Sequence, residues 1–393
     1  MSRRKWLQGG GVLLVAAAVL VALLAHSGGD GGSPPSPTPP PGAVTGPGPS
    51  GATTAGITLV GANVNRIFDD RAFTPTQEAA LARALAATGV DTGRSDTFWE
   101  LTEPQPPQRG IHRFDWSFDD GVASTLAAAG LRWLPIIDYS AGWARARPEL
   151  LHSPPRDPAA LAAYTAALVR RYGPGGSFWA EHSGLPARPV HEYEIWNEPD
   201  SPLFWSPAPS ASAYAQLYAA ARAAIHGVDP AASVLIGGLT RPVGFLPELL
   251  AADPALRGAL DGVAIHPYGD STAAVLGLVR RARATLRSLG LGRVPLLLTE
   301  FGWVTSPPGA RHYIPAATRP ALVRATVAAL GHTDCGVAGE VIYTWVTPRA
   351  NPADPEDWYG LEPPGGGPSA DATALAQGTA QARAAGPLQP VCG

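Results

Sequence analysis

From about Gly56 onward, eight short apolar runs alternate with alanine-rich helical stretches, a rhythm that few folds accommodate. The runs are Thr58–Val64, Gly89–Arg94, Arg132–Asp138, His191–Asn197, Ser233–Gly238, Gly262–His266, Val294–Glu300 and Val341–Trp345. Between them lie Pro75–Thr88, Asp119–Ala129, Asp157–Tyr172, Ala211–His226, Ser271–Leu289 and Ala316–Leu330, and Ala370–Ala385 follows the eighth run. Val243–Leu256 is a weaker helix, interrupted by Pro247 and Pro254. Such alternation calls for a parallel sheet covered by helices. Eight units in about 330 residues predict an α/β fold of one domain, a closed (β/α)8 TIM barrel, rather than an open sheet. An open nucleotide-binding sheet would want a glycine-rich turn after its first strand, and here that strand ends in Asn63-Val64-Asn65-Arg66.

The segment before the barrel reads differently. Ser2-Arg3-Arg4-Lys5 is a basic stretch, and Val12–Ala25 is an apolar run too short for a typical membrane span of about 20 residues. Residues 1–26 are therefore expected to be a signal peptide, or a signal anchor if uncleaved. Residues 27–55, rich in Gly, Pro, Ser and Thr without periodicity, are expected to form a disordered linker, leaving 56–393 for the barrel. A net charge of −3 with scattered arginines gives nothing that argues for nucleic acid or an anionic membrane surface, so no nucleic-acid partner is expected and a membrane only through the N-terminal segment. Two cysteines, Cys335 and Cys392, suggest a disulfide in an exported chain, pinning the tail beside the strand near Gly339; two unpaired thiols are the alternative.

Two runs end on a carboxylate flanked by aromatics. VHEYEIWNEPD carries Glu198 on the fourth strand, and PLLLTEFGW carries Glu300 on the seventh. In a (β/α)8 barrel the C-terminal strand ends carry the chemistry. Two carboxyls meeting there suit cleavage of a glycosidic bond, one as acid/base and one as nucleophile, about 5–5.5 Å apart when configuration is retained. Burial of Glu198 near Trp196 would raise its pKa, as an acid requires.

The conjunction of Ile195-Trp196-Asn197-Glu198-Pro199, Thr299-Glu300-Phe301-Gly302-Trp303 and His266-Pro267-Tyr268-Gly269 resembles the retaining glycoside hydrolases of clan A. Tyr193–Asp200, then Phe204-Trp205, Tyr214, Leu217-Tyr218 and Val234–Gly238, is most similar to glycoside hydrolase family 39, with family 5 next. The likeness runs from about Gly56 to Gly360. It implies that Glu198 is the acid/base and Glu300 the nucleophile. It further implies that Asn197 binds the sugar 2-hydroxyl, that Arg94 and Tyr268 donate to Glu300, that His266 lies close to both carboxyls, and that Trp345 is the platform for the −1 sugar. Family 39 xylosidases carry an accessory β-sandwich for which this sequence leaves no room, which speaks against xylosidase specificity and favours the single-barrel members, some of which cleave exopolysaccharides internally.

Trp99, Trp143, Trp205, Phe301, Trp303 and Trp358 fall just past strand ends and are candidate walls of a sugar cleft, as are Asp138 and Tyr139. Core packing is the equal alternative for each. The segments Pro104–Arg113 and Ala141–Arg156 could also wall the cleft. The histidines are dispersed and neither HExxH nor CxxC occurs, so no metal or cofactor is expected. The expectation is an exported, monomeric glycosidase acting on a β-linked oligo- or polysaccharide. A transglycosidase on the same barrel, or a catalytically silent carbohydrate-binding barrel, are the alternatives.

Overall fold

The computed structural model describes residues 57–69 and 71–393; the expected leader and linker lie outside the described residues. Eight strands form one sheet: β1 (Leu59–Asn63), β2 (Thr92–Phe98), β3 (Arg132–Asp138), β4 (Glu192–Ile195), β5 (Ser233–Leu239), β6 (Gly262–Ile265), β7 (Leu296–Leu298) and β8 (Val337–Ile342). Each pairs in parallel with the next, and β1 also pairs with β8, so the sheet closes on itself. This is the (β/α)8 barrel expected from the alternation.

Among the described residues, eleven α-helices surround it: α1 (Asn65–Phe68), α2 (Pro75–Ala87), α3 (Trp99–Thr102), α4 (Ser117–Ala128), α5 (Pro158–Tyr172), α6 (Ser177–Glu181), α7 (Ala211–His226), α8 (Pro242–Ala252), α9 (Thr272–Ser288), α10 (Arg319–Gly331) and α11 (Ala370–Arg383). Their starts are written locally. Thr74 and Gln77 form a capping box at α2 with Pro75 at the first turn, and Asp157, Ser210 and Ser271 cap α5, α7 and α9. The proline-interrupted stretch becomes α8, which tolerates Pro247, followed by a 3-10 turn at Pro254–Gly258. No helix among the described residues is long and apolar enough to cross a membrane.

The core has two shells. Leu59, Leu134, Leu235, Ala264, Leu297 and Val341 fill the barrel interior, while the larger shell lies between strands and helices. Residues in register share a face, so the inward positions can be followed upward. Arg94 is paired with Leu134, and Glu194 with Leu235, so both point inward. The interior thus changes from aliphatic to ionic one layer below the mouth, which is where the site begins.

Two strands are displaced from their expected positions. β2 starts at Thr92 and runs on to Phe98, because Gly89 (φ 82°) turns the chain after α2 and the polar run Ser95-Asp96-Thr97 is strand. β8 starts at Val337 and ends at Ile342, before the apolar Tyr343-Thr344-Trp345. The expected disulfide is present: Cys335 and Cys392 are bonded with their Cα atoms 5.2 Å apart. The Asp334 carboxylate accepts the backbone N–H groups of Val391, Cys392 and Gly393, so the tail is clasped just before β8.

Candidate active site

The end of β4 is bent. Trp196 (φ 68°) and Glu198 (φ 46°) both lie in the left-handed region, which costs a side-chain-bearing residue about 1–3 kcal/mol and concentrates at functional sites. The Trp196 indole is fully buried, donates to the Phe204 carbonyl at 2.7 Å and packs on Trp205. The bend sets the Trp196 carbonyl against Gly237, where a Cβ would overlap it, and a Cβ at Gly238 would overlap the His266 ring. The glycine pair closing β5 is therefore required by what β4 and β6 place beside it. Gly302 is held in the same way by the Tyr343 carbonyl.

Arg94 is the hub. It is fully buried, and its guanidinium donates Nε and Nη2 to the two oxygens of Glu194 (2.7 and 3.0 Å), Nη1 to Glu300 Oε1 (2.7 Å) and Nη2 to Asn197 Oδ1 (3.0 Å). Tyr268 donates its hydroxyl to the other Glu300 oxygen at 2.8 Å. His266 Nδ1 lies 2.9 Å from Glu198 Oε1 and 3.6 Å from Glu300 Oε2. Its Nε2 lies 3.2 Å from Thr299 Oγ1, which donates to Glu194. The contacts thus run in a chain from Glu198 through His266, Thr299, Glu194 and Arg94 to Glu300. Glu194 also takes the Gly238 N–H. Neither Glu194 nor Thr299 stood out in the sequence as a site residue, although Glu194 is two residues before the bend at the end of β4.

One oxygen each of Glu198 and Glu300 and a nitrogen of His266 lie within 4.8 Å of one another. The two carboxyls have opposite proton affinities. Burial pushes Glu198 above the usual carboxylate range, and the single His266 contact does not offset it. Burial acts on Glu300 too, but the charges of His266 and Arg94 and the hydrogen bonds from Tyr268 and Arg94 outweigh it and hold Glu300 below its ordinary value. His266 is held above its ordinary value by Glu300 and Glu198 against the effect of burial. The triangle has the donor types of a metal site, yet both Glu300 oxygens are engaged by cationic or hydroxyl donors, and Arg94 would repel a cation there.

The walls correct several expectations. Trp345 is fully buried and donates to the Leu81 carbonyl of α2, so it is a core tryptophan and not a sugar platform. The reason is the earlier end of β8, which leaves Tyr343, partly exposed and close to Glu300, nearer the mouth. Trp99 is spent on Glu103 and stacked on Tyr164, Trp303 on the Gly269 carbonyl, and Trp205 between Trp196 and Tyr214, all with no exposed surface to offer. Trp143 keeps a partly exposed edge but donates to the Glu103 carbonyl. Asp138 is buried at the end of β3 with both oxygens unpartnered, and burial followed by the charge of Asp96 raises it well above its ordinary value. It lies beneath the surface of the cleft. Asp96, the next inward position above Arg94, is the partly exposed carboxyl there; burial raises it to about 6.

Two aromatic groups flank the centre. Tyr268 stacks on His312 at 5.2 Å and meets Tyr359 at 6.1 Å, and Tyr359 meets Tyr343, whose hydroxyl donates to Glu356 at 3.0 Å. On the Glu198 side, Tyr139, His152 and Phe204 pack within 4.5 to 6.5 Å of one another beside Leu203, which is 69% exposed.

No family model and no curated protein sequence matches the chain. Solved structures do. A family 39 glycoside hydrolase from Xanthomonas axonopodis pv. citri aligns at 21% identity and TM-score 0.63, over 83% of this chain and 66% of its own. A monomeric β-xylosidase from Caulobacter crescentus aligns at 19% and 0.62, over 81% and 67%. A fungal β-1,4-galactanase aligns at 18% and 0.58, over 82% and 99%. The chain spans about two thirds of the first two. It shares the fold of clan A glycoside hydrolases.

Proposed function

We propose that this barrel is a retaining glycosidase acting on a β-linked oligo- or polysaccharide. The observation that carries the reading is the pair Glu198 and Glu300, with oxygens within 4.8 Å, one carboxyl disposed to hold its proton and the other to lose it. So short an approach supports retention, since inverting enzymes hold their carboxyls far enough apart to admit a water. Glu300 attacks the anomeric carbon while the Glu198 proton moves to the leaving oxygen and the glycosidic bond breaks, leaving a glycosyl ester on Glu300. Glu198, now ionised, takes a proton from water as the water oxygen attacks the same carbon; the ester breaks, and Glu198 regains its proton. Arg94 and Tyr268 aim the Glu300 carboxylate, and Asn197, held by Arg94, presents its amide beside it.

The aromatic group on the Glu198 side supports a sugar, rather than a small alcohol, as leaving group, since sugar rings offer C–H faces to aromatic walls. We place the enzyme outside the cytoplasm: the basic and apolar N-terminal stretch and the Cys335–Cys392 disulfide support export. A glycoside carrying fluorine at C2 tests the mechanism, because it slows the second step. It should label Glu300 alone, found by peptide mass. Label on another residue, or release of the inverted anomer from an ordinary substrate, would end this assignment.

A further inference from the structure

The segment between β2 and α4 carries a pocket of about 270 Å³ that no residue of the Glu198–Glu300 centre lines. Its walls include Gln105, Gln108, Ile111, Arg113, Phe114 and Asp115. The sequence marked this stretch only as a possible wall of the cleft. Its architecture is more specific. Gln108 and Ile111 exchange both backbone hydrogen bonds (3.1 and 3.0 Å) across Arg109 (φ 53°) and Gly110 (φ 78°), a two-residue hairpin of the mirror-image turn type.

Behind the hairpin, the buried Glu103 carboxylate takes the Trp99 indole N–H at 2.8 Å and lies 2.6 Å from His112 Nδ1, while the Glu103 carbonyl takes the Trp143 indole N–H at 2.9 Å. Phe114 is stacked on His112 and packs on Trp116. A long surface segment is thereby held in one shape before any ligand arrives, which lowers the entropic cost of binding. At its tip Ile111 is 64% exposed, an apolar side chain left largely in water.

The lining chemistry narrows the ligand. Two carboxamides and one guanidinium offer both donors and acceptors, beside an Asp115 carboxylate that already accepts the Ser117 N–H, around an aliphatic and an aromatic surface. Arg113 and Asp115 cancel in charge, which disfavours an ionic ligand. A neutral molecule with hydroxyls at its edge and C–H groups on its faces fits this set. We propose that the hairpin pocket is a second glycan-binding site, engaging a neutral stretch of the same polysaccharide whose bond the barrel cleaves. The proposal rests on the glycosidase reading. The segment leaves the C-terminal end of β2, the end of the barrel that carries the carboxyls, and a polymer chain held there would have a raised local concentration at the centre.

The test compares a long substrate with a short one. Gln108→Ala combined with Arg113→Ala removes two exposed side chains and leaves the turn in place; Ile111→Asp is the second variant. Full-length wild type is first screened on aryl β-glycosides and on β-glucan, xylan, mannan and galactan. On the polymer it cleaves, either variant should lose about tenfold in kcat/KM, carried by KM, and stay within about twofold of wild type on the aryl glycoside. In gels containing that polymer, Glu300→Ala protein should be retarded, and the added hairpin substitutions should abolish the retardation. Unchanged polymer kinetics, or an equal loss on both substrates, overturns the second site while the glycosidase reading stands on aryl-glycoside turnover. A wild type that turns over nothing in the screen overturns both.

Discussion

Glu198 and Glu300 are the same residue type, at neighbouring places in one mouth and almost equally buried, at 9% and 8% exposure. They nevertheless hold their protons in opposite ways. Glu300 accepts from Arg94 and Tyr268 on separate oxygens and lies 3.6 Å from His266, whereas Glu198 has the His266 contact alone. Desolvation is common to both, so the number and charge of the donors decide the difference. The scaffold spends a buried arginine, fixed by Glu194 on its far side, on one carboxyl only.

The strongest way to break this comparison is to remove each carboxyl in turn. Glu300→Ala should cost on the order of 10⁵-fold or more in kcat with every substrate, because no ester can form. Glu198→Ala should cost about 10²–10⁴-fold in kcat/KM with a sugar leaving group and far less in kcat/KM with a nitrophenolate, which departs without a proton, while its kcat stays low with both because the second step has lost its base. Equal sensitivity of the two variants to the leaving group would show that the roles are not divided as argued.

Arg94→Met tests the hub. It leaves Glu194 buried and unpaired, so chemical denaturation should show a loss of about 3–5 kcal/mol. It also removes the charge that keeps Glu300 ionised, so the acid limb of kcat/KM should move to higher pH.

The pH profile itself sharpens the contrast. Activity needs Glu300 ionised and Glu198 protonated, so kcat/KM should fall below the pKa of Glu300, which is lowered, and above that of Glu198, which is raised. His266 lowers both, so His266→Asn should move both limbs upward in pH; a shift of one limb alone would contradict the shared contact.

The smallest effect is expected at Trp345. Trp345→Phe should cost about 1–2 kcal/mol in stability and leave KM within about twofold, as a core residue would. A KM change without a stability change would return it to the cleft.

Strands β4 and β8 show how far a sequence can be read. Both end in an aromatic-rich run, EIWNEPD and VIYTWVTP. At β4 the predicted residues Glu198, Asn197 and, from β2 and β6, Arg94, His266 and Tyr268 converge as the motifs suggested. At β8 the apolar run extends beyond the strand, and the platform expected at Trp345 went into the outer core against α2. An apolar residue three positions past a strand end fits either shell, and local composition carries no sign of which. The same ambiguity left Trp99, Trp205 and Trp303 open between cleft and core, and all three are buried in the core. Glu194 was overlooked for the converse reason: a carboxylate in a strand shows its worth only when the opposite strand supplies an arginine.

Local sequence thus determined what depends on short-range patterning: eight strand–helix units, their caps, the two carboxylate-bearing strand ends and the cysteine pair. These are legible because periodicity and capping act within a few residues. Only the closed sheet decided which carboxyl keeps its proton, which tryptophans reach solvent, and that Arg94 spans Glu194 and Glu300. Those properties arise from groups between 32 and 206 positions apart in the chain, brought together where water is excluded and each donor changes the charge balance of its neighbour.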